Sequence, residues 1–324
     1  MKRSLFFSVL SLLAALILTL ACLPGDCYTS ESSGDPACKS AANIQSAPTL
    51  EELKNTTYNG FEGHPGPVIL TDGRWVGKPY VEGGASRPEI YFLRDFRLMG
   101  DVDGDGKDEA VVLLGESSGG TGQYIYLAVV DRKNGNLKNI ALTLIGDRIQ
   151  IREARIEGGR VFLDILQAGP GDAACCPGEL ATRGWELIPE GLNEFCVSKT
   201  HGRLTLATIG GTEWLLRSWD FDEPAPTEPE VTIIFQDGPF TGNCGCNSYF
   251  APVKPGDMPG DVSVGQIGST RKACPEQIMV IEARFLEQLR GVKKFGFMIR
   301  QLALSYENDG AWGVMLFDGR KLKP

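Results

Sequence analysis

A chain of 324 residues is about twice a typical domain, so two folded units with appendages are expected, and a hydrophobic share of 42% is enough to fill ordinary cores. Forty glycines and nineteen prolines favour turns and short strands over long helices. The formal net charge of -9 argues against a nucleic-acid partner, because phosphate binding needs a basic surface. Positive charge nevertheless gathers at the C-terminal end, where ten Lys/Arg stand against six Asp/Glu from Arg271 onward. A solvated helix face and attraction to anionic envelope lipids are the two readings of that asymmetry.

Residues 1–21 read as a signal peptide, with Lys2 and Arg3 ahead of an apolar run from Leu5 to Leu20 that is too short and too early for a membrane span. Thr19-Leu20-Ala21 ends in the small residue a signal peptidase requires. With Cys22 next, the stretch also resembles a lipobox, in which Cys22 is lipidated and becomes the new N-terminus. Lipidation with Leu23 following implies an outer-membrane lipoprotein facing the periplasm; free secretion or a periplasmic protein is the alternative. Residues 22–48, rich in Ser, Gly, Pro and Ala, read as a flexible tether.

Setting Cys22 aside leaves eight cysteines, an even set that in an exported chain reads as disulfides. Proximity pairs Cys27 with Cys38. Bridging the adjacent Cys175 and Cys176 strains the peptide between them, so each is expected to take a distant partner among Cys196 and Cys244. A thiolate zinc site from Cys175, Cys176, Cys244 and Cys246 is the alternative, one that an oxidising compartment disfavours.

Residues 49–200 read as an antiparallel β-rich domain. Glu52 to Asn55 fit a short helix, and Pro67 to Leu70 and Trp75 fit short strands around an Asp72-Gly73 turn. Tyr124 to Val130 and Leu137 to Leu144 flank Asn134-Gly135, a hairpin signal because both turn positions tolerate positive φ. Ile149 to Ile156 and Val161 to Leu166 flank Gly158-Gly159 in the same way.

Within this domain, Asp101-Val102-Asp103-Gly104-Asp105-Gly106-Lys107-Asp108-Glu109 spaces its oxygens like the first part of a calcium loop. Acidic side chains stand at Asp101, Asp103 and Asp105, the Lys107 backbone carbonyl follows, and Glu109 supplies a further carboxylate. Val112 stands where an EF-hand carries its bidentate glutamate, and both flanks read as strands, so the loop resembles the strand-flanked Asp-rich loops of integrin-type β-repeat proteins. One structural calcium ion is expected here; an acidic turn that holds nothing is the competing reading.

Other catalytic patterns are weak. Glu116 to Gly122 is glycine-rich but lacks the Gly-Lys-Ser/Thr of a phosphate cradle, and His64 and His201, the second at an expected interdomain turn, have no recognisable nucleophile pattern. Trp214, Trp219 and Trp312 read either as the lining of a ligand cavity or as core.

Residues 203–322 form the second expected domain. Strand signals at Gly211 to Leu216, ending near Trp214, and at Val231 to Phe235 lead to Gly245-Cys246-Asn247, then Ser269-Thr270-Arg271-Lys272-Ala273-Cys274. The best helix of the chain follows from Pro275 to Val292, with Ile278, Ile281, Phe285, Leu286 and Leu289 on one face and Glu282, Glu287 and Arg290 outward. Strands at Leu302 to Tyr306 and Gly313 to Phe317 close the pattern. In this order the parts resemble the META domain of the HslJ-like envelope proteins, and the part before it resembles the kind of domain that accompanies META domains. The resemblance implies a curved antiparallel sheet or partial barrel packed on one helix, a Cys246–Cys274 disulfide, and a Gly245, Asn247 and Trp214 motif. Cys244 and the proline-rich Asp222 to Pro229 loop depart from the pattern.

The expected fold is therefore mainly β, or α+β: an N-terminal antiparallel domain followed by a META domain. The expected function is that of a non-enzymatic envelope protein with a stress-tolerance or binding role, its partners a membrane reached through the lipid anchor and an envelope lipid or protein ligand. A ligand-binding or protease-inhibitor-like β module is the alternative, and a divalent-ion-dependent hydrolase at the Asp-rich loop is a third reading.

Overall fold

A computed structural model describes residues 46–322. The signal segment, Cys22, Cys27, Cys38 and nearly all of the tether lie outside the described residues, as does the side chain of Cys196.

The chain is mostly β with antiparallel sheets and two α-helices. Helix α1 (Leu50–Lys54) opens with a capping box, in which Glu52 N donates to Thr49 Oγ1 and Thr49 N donates to Glu52 Oε2. A short ribbon, β1 (Thr57–Tyr58) and β2 (Val68–Ile69), precedes a five-stranded meander of β3 (Arg74–Val76), β4 (Glu89–Gly100), β5 (Glu109–Ser117), β6 (Tyr124–Lys133) and β7 (Asn136–Asp147). The run Ala110-Val111-Val112-Leu113-Leu114 on β5 is buried throughout because both faces of this sheet are covered. Val111 and Leu113 face one core, whereas Ala110, Val112 and Leu114 face another with Leu53, Tyr58 and Phe61. The Asn134-Gly135 hairpin forms with φ of 52° and 84° at its two turn residues.

A four-stranded sheet covers the Val111 face: β8 (Gln150–Glu157), β9 (Arg160–Gln167), β10 (Glu179–Ile188) and β11 (Gly191–Arg203). His201 therefore belongs to a strand rather than to an interdomain turn, and its Nε2 lies 2.7 Å from Thr182 Oγ1 across the β10–β11 pair.

The C-terminal part is an eight-stranded curled sheet. It contains β12 (Thr212–Ser218), β13 (Thr232–Phe235), β14 (Phe240–Asn243), β15 (Ser248–Ala251), β18 (Gly268–Ser269), β19 (Val292–Met298), β20 (Gln301–Asn308) and β21 (Ala311–Lys321), with β16 (Val253–Pro255) and β17 (Val262–Val264) forming a side ribbon. Helix α2 (Glu276–Arg290) packs Phe285 and Leu289, both fully buried, against Tyr249, Leu302 and Leu304. Pro275 is the N-cap, one position before the expected first turn. Of the three charged residues expected outward on α2, Glu287 and Arg290 are exposed, but Glu282 is buried. Its partners, described below, replace the water it loses.

The edge strand β8 meets β19 at one joint. Gln150 Oε1 accepts from Phe297 N at 2.7 Å, and Ile151 O accepts from Arg300 N at 2.8 Å. A Cβ on Gly296 would stand 2.6 Å from Gln150 Oε1, so a side chain there would displace the Gln150 amide from its bond to Phe297 N.

Candidate functional site

The turn between β14 and β15 holds Cys244 to Asn247. Gly245, at φ 121°, bends the backbone where a side chain would be strained. Cys246 is bonded to Cys274, joining this turn to the segment ahead of α2. Asn247, only 2% exposed, uses every polar atom of its side chain. Its Nδ2 donates to Glu282 Oε1 at 2.9 Å and to Lys272 O at 3.2 Å, while Oδ1 accepts from Thr270 Oγ1 and Lys272 N, both at 2.7 Å. The backbone N of Asn247 donates to Glu282 Oε2 at 2.9 Å. Disulfide, asparagine and buried glutamate thus form one latch between turn, strand end and helix, with no polar group left over for a ligand.

Cys244 was expected to bridge Cys175 or Cys176. Instead it is a free, fully buried thiol, 2.9 Å from Asn247 O and 3.3 Å from Glu282 Oε2. Burial, reinforced by Glu282, pushes its pKa up to about 12, so it stays protonated and is a packing group rather than a nucleophile. Cys175 and Cys176 are bonded to each other. Their loop is held by Asp172, which accepts from Gly169 N and Gly178 N at 2.8 and 2.9 Å and pairs with Arg203. Three of the four sulfurs of the alternative zinc site are therefore in disulfides.

Trp214 and Trp219 fill the core, the former donating from Nε1 to Ile209 O at 2.9 Å, whereas Trp312 is exposed. In the Pro224 to Pro229 loop Ala225 is buried in the core and the preceding Glu223 pairs with Arg284 on α2, while Pro224, Pro226, Thr227 and Glu228 are exposed.

In the Asp-rich loop, one carboxylate oxygen from each of Asp101, Asp103 and Glu109 lies within 4.8 Å of the others. Asp105 is turned outward, its Oδ2 3.2 Å from Lys107 Nζ and its Oδ1 accepting from Lys107 N. A cleft of about 410 Å³ borders Asp101 and Asp103 on the side of Gly158 and Gly159.

Sequence reasoning missed the two clefts at the β8–β19 joint. The wider one, about 970 Å³, is polar, and several of its charges are paired: Arg320 holds Glu213 and Glu230, Asp318 pairs with Arg217, and Arg300 with Glu153. The second is apolar, about 550 Å³, between the two β layers. Leu93, Ile125 and Ile149 line it on one side and Phe295, Phe297, Ala303 and Val314 on the other, with Arg94, Arg148 and Lys294 among its polar lining. Arg148 pairs with Asp147, and Lys294 lies 3.6 Å from Asp261 and 3.1 Å from Cys176 Sγ. Arg94 makes no ion pair among the described residues and stacks its guanidinium 5.9 Å from the Phe221 ring.

Backbone conformation singles out this joint. Nine non-glycine residues have positive φ among the described residues. Asp72, Asn134, Asp237 and Asp309 are Asp or Asn away from both clefts, residue types for which the left-handed region is cheap. The others are Arg94, Asp95, Arg148, Ile299 and Arg300, and all five line one cleft or both. Arg94 and Asp95 sit in an irregularity of β4 between Phe92 and Arg97, which aims Leu93 and Arg94 at the joint. Ile299 and Arg300 form the β19–β20 turn with φ of 44° and 71°, positions that ordinarily go to Asn-Gly. Such residues cost about 1 to 3 kcal/mol each and persist where their surroundings hold them. Here Ile299 packs into the Val111 core and Arg300 N bonds Ile151 O.

Against known proteins, residues 205–316 match the family model of the META domain. No curated protein and no solved structure matches the chain.

Proposed function

With residues 205–316 a META domain, we propose that the protein is a non-enzymatic binding protein of the cell envelope, tethered through a lipidated Cys22, and that its ligand site is the apolar cavity between the β layers. The convergence of left-handed Arg94, Arg148 and Ile299 on one cavity carries this reading, because a fold tends to retain such conformations where a site benefits from them. A volume of about 550 Å³ lies within the range of small-molecule sites, which are mostly apolar with a few placed polar groups. The chemistry selects an amphipathic ligand with an apolar body and one anionic group, the latter answered by Arg94.

A calorimetric titration of the full chain with a straight-chain fatty acid, set against the alkylamine of the same length, tests the proposal. Saturable binding of the acid alone, weakened about tenfold or more in Arg94→Ala, is expected. Equal binding of acid and amine, or none of either, would refute it. The envelope assignment rests on Lys2 to Cys22 and is tested by the intact mass of the protein taken from its native envelope. A diacyl or triacyl increment on Cys22 is expected; an unmodified N-terminus would rule out the anchor.

A further inference from the structure

The loop between β4 and β5 is wound around its first carboxylate. Asp101 Oδ1 accepts from Gly104 N at 2.7 Å and Oδ2 from Gly106 N at 3.1 Å, and the two glycines take φ of 80° and 83°. Glu109, the first residue of β5, points back into this turn with no exposed surface at all. Its Oε2 accepts from Val102 N at 2.9 Å and Asp103 N at 3.2 Å, which holds the carboxylate beside the loop. Its Oε1 is buried and has no hydrogen-bond partner.

That orphan oxygen is the observation an ordinary acidic turn does not explain. Exposed aspartates can be satisfied by water, but a carboxylate oxygen sealed from solvent carries the full desolvation penalty unless a cation or a donor answers it. No cationic side chain does so among the described residues. Lys107 is paired with Asp105, and Lys133 lies 3.2 Å from Asp131 on the neighbouring strand β6. Asp131 is itself buried and adds a further negative charge near Glu109.

We propose that Asp101, Asp103 and Glu109 bind one divalent calcium ion, which joins the ends of β4 and β5 and completes the coordination of the buried Glu109 carboxylate. An all-oxygen donor set excludes a preference for zinc or copper, which favour nitrogen and sulfur. Carboxylates wound on a glycine-bearing loop suit the larger, more adaptable coordination sphere of calcium over the strict octahedron of magnesium. Asp105 and the Lys107 carbonyl, which spacing alone would include, are not required as ligands. The site stands independently of the ligand proposed for the apolar cavity.

The test is thermal unfolding of the full chain in EDTA and in calcium chloride at about 1 mM, a concentration that serves extracellular modules. Magnesium chloride at the same concentration provides the comparison. Calcium is expected to raise Tm by on the order of 5 °C, and magnesium by much less. Asp103→Asn keeps the loop's size and the oxygen that accepts from Asp105 N, so it should fold in EDTA with Tm near the parent's, whereas Asp101→Asn gives up one of its two backbone bonds and should start lower; both should lose the calcium shift. A calorimetric titration with calcium alone should then give one ion per chain for the parent protein and none for the variants. No calcium shift, an equal shift with magnesium, or a shift retained by both variants would overturn the proposal.

Discussion

Replacing Glu282 by alanine removes the centre of the latch between the Cys244–Asn247 turn and helix α2. In the parent protein its two oxygens accept from Asn247 N and Asn247 Nδ2, both at 2.9 Å, and Oε2 also faces the Cys244 thiol at 3.3 Å. Glu282 is 6% exposed and Asn247 2%, so water cannot substitute for the lost acceptor without opening the turn. Two hydrogen bonds to a charged acceptor, each about 1.5 to 3 kcal/mol, and two stranded donors put the loss at about 3 to 5 kcal/mol. The assay is equilibrium urea unfolding followed by tryptophan fluorescence, with Trp214 and Trp219 buried in the same core as Cys244. Glu282→Gln keeps one carbonyl acceptor in place and should lose only about 1 to 2 kcal/mol. A loss below about 1 kcal/mol for the alanine variant would refute the latch, since no buried donor could then have been stranded.

Breaking the Cys246–Cys274 bond by Cys246→Ala with Cys274→Ala reopens a loop of sequence separation 28 and should cost about 3 to 4 kcal/mol in the same assay. An unchanged midpoint would show that Asn247 and Glu282 suffice. Asp172, with Arg203 beside it, is held well down at about 2 and so stabilises the native state above its unfolded value near 3.8. That contribution is lost as pH falls from about 4 to 2, and Asp172→Asn should flatten the acid-unfolding curve within this window. A curve of unchanged steepness would contradict the pairing. Ile299→Asn with Arg300→Gly supplies the residues the β19–β20 turn geometry favours, yet removes Ile299 from the neighbouring core. The net effect expected is a loss of about 1 to 2 kcal/mol by urea unfolding, whereas a gain would mean that local strain outweighs the packing at the joint.

Much of the architecture is legible locally. Asn134-Gly135 and Gly158-Gly159 mark their hairpins, and the apolar spacing of Ile281, Phe285 and Leu289 marks the buried face of α2. Strands β10 and β11 are harder to read, because their cores of Trp185 and Leu180 are interspersed with charge and their partners lie across a bulged pair. Glu282 is misplaced by a rule that sends charge outward, although it stands on the same helical arc as Ile278 and Phe285, and that position is the signal that could have found it. The converging carboxylates of Asp101, Asp103 and Glu109 share one short loop, so spacing brings them to notice; the burial of Glu109 does not appear in spacing. The apolar cavity has no local signature, because β4, β8, β19, β20 and β21 each contribute residues to its wall. Nor does sequence announce that an arginine such as Arg94 or Arg148 will take positive φ, a conformation imposed by tertiary packing.

Filling the cavity tests the binding role most directly. Ala303 is a small, half-buried residue of its wall on β20, and Ala303→Trp would occupy much of the volume while leaving Arg94 and the latch in place. Fatty-acid binding by calorimetry, measured on a variant whose urea midpoint stays within about 1 kcal/mol of the parent, should fall at least tenfold. Parent-like affinity in that filled variant would place the ligand elsewhere and contradict the cavity as the binding site.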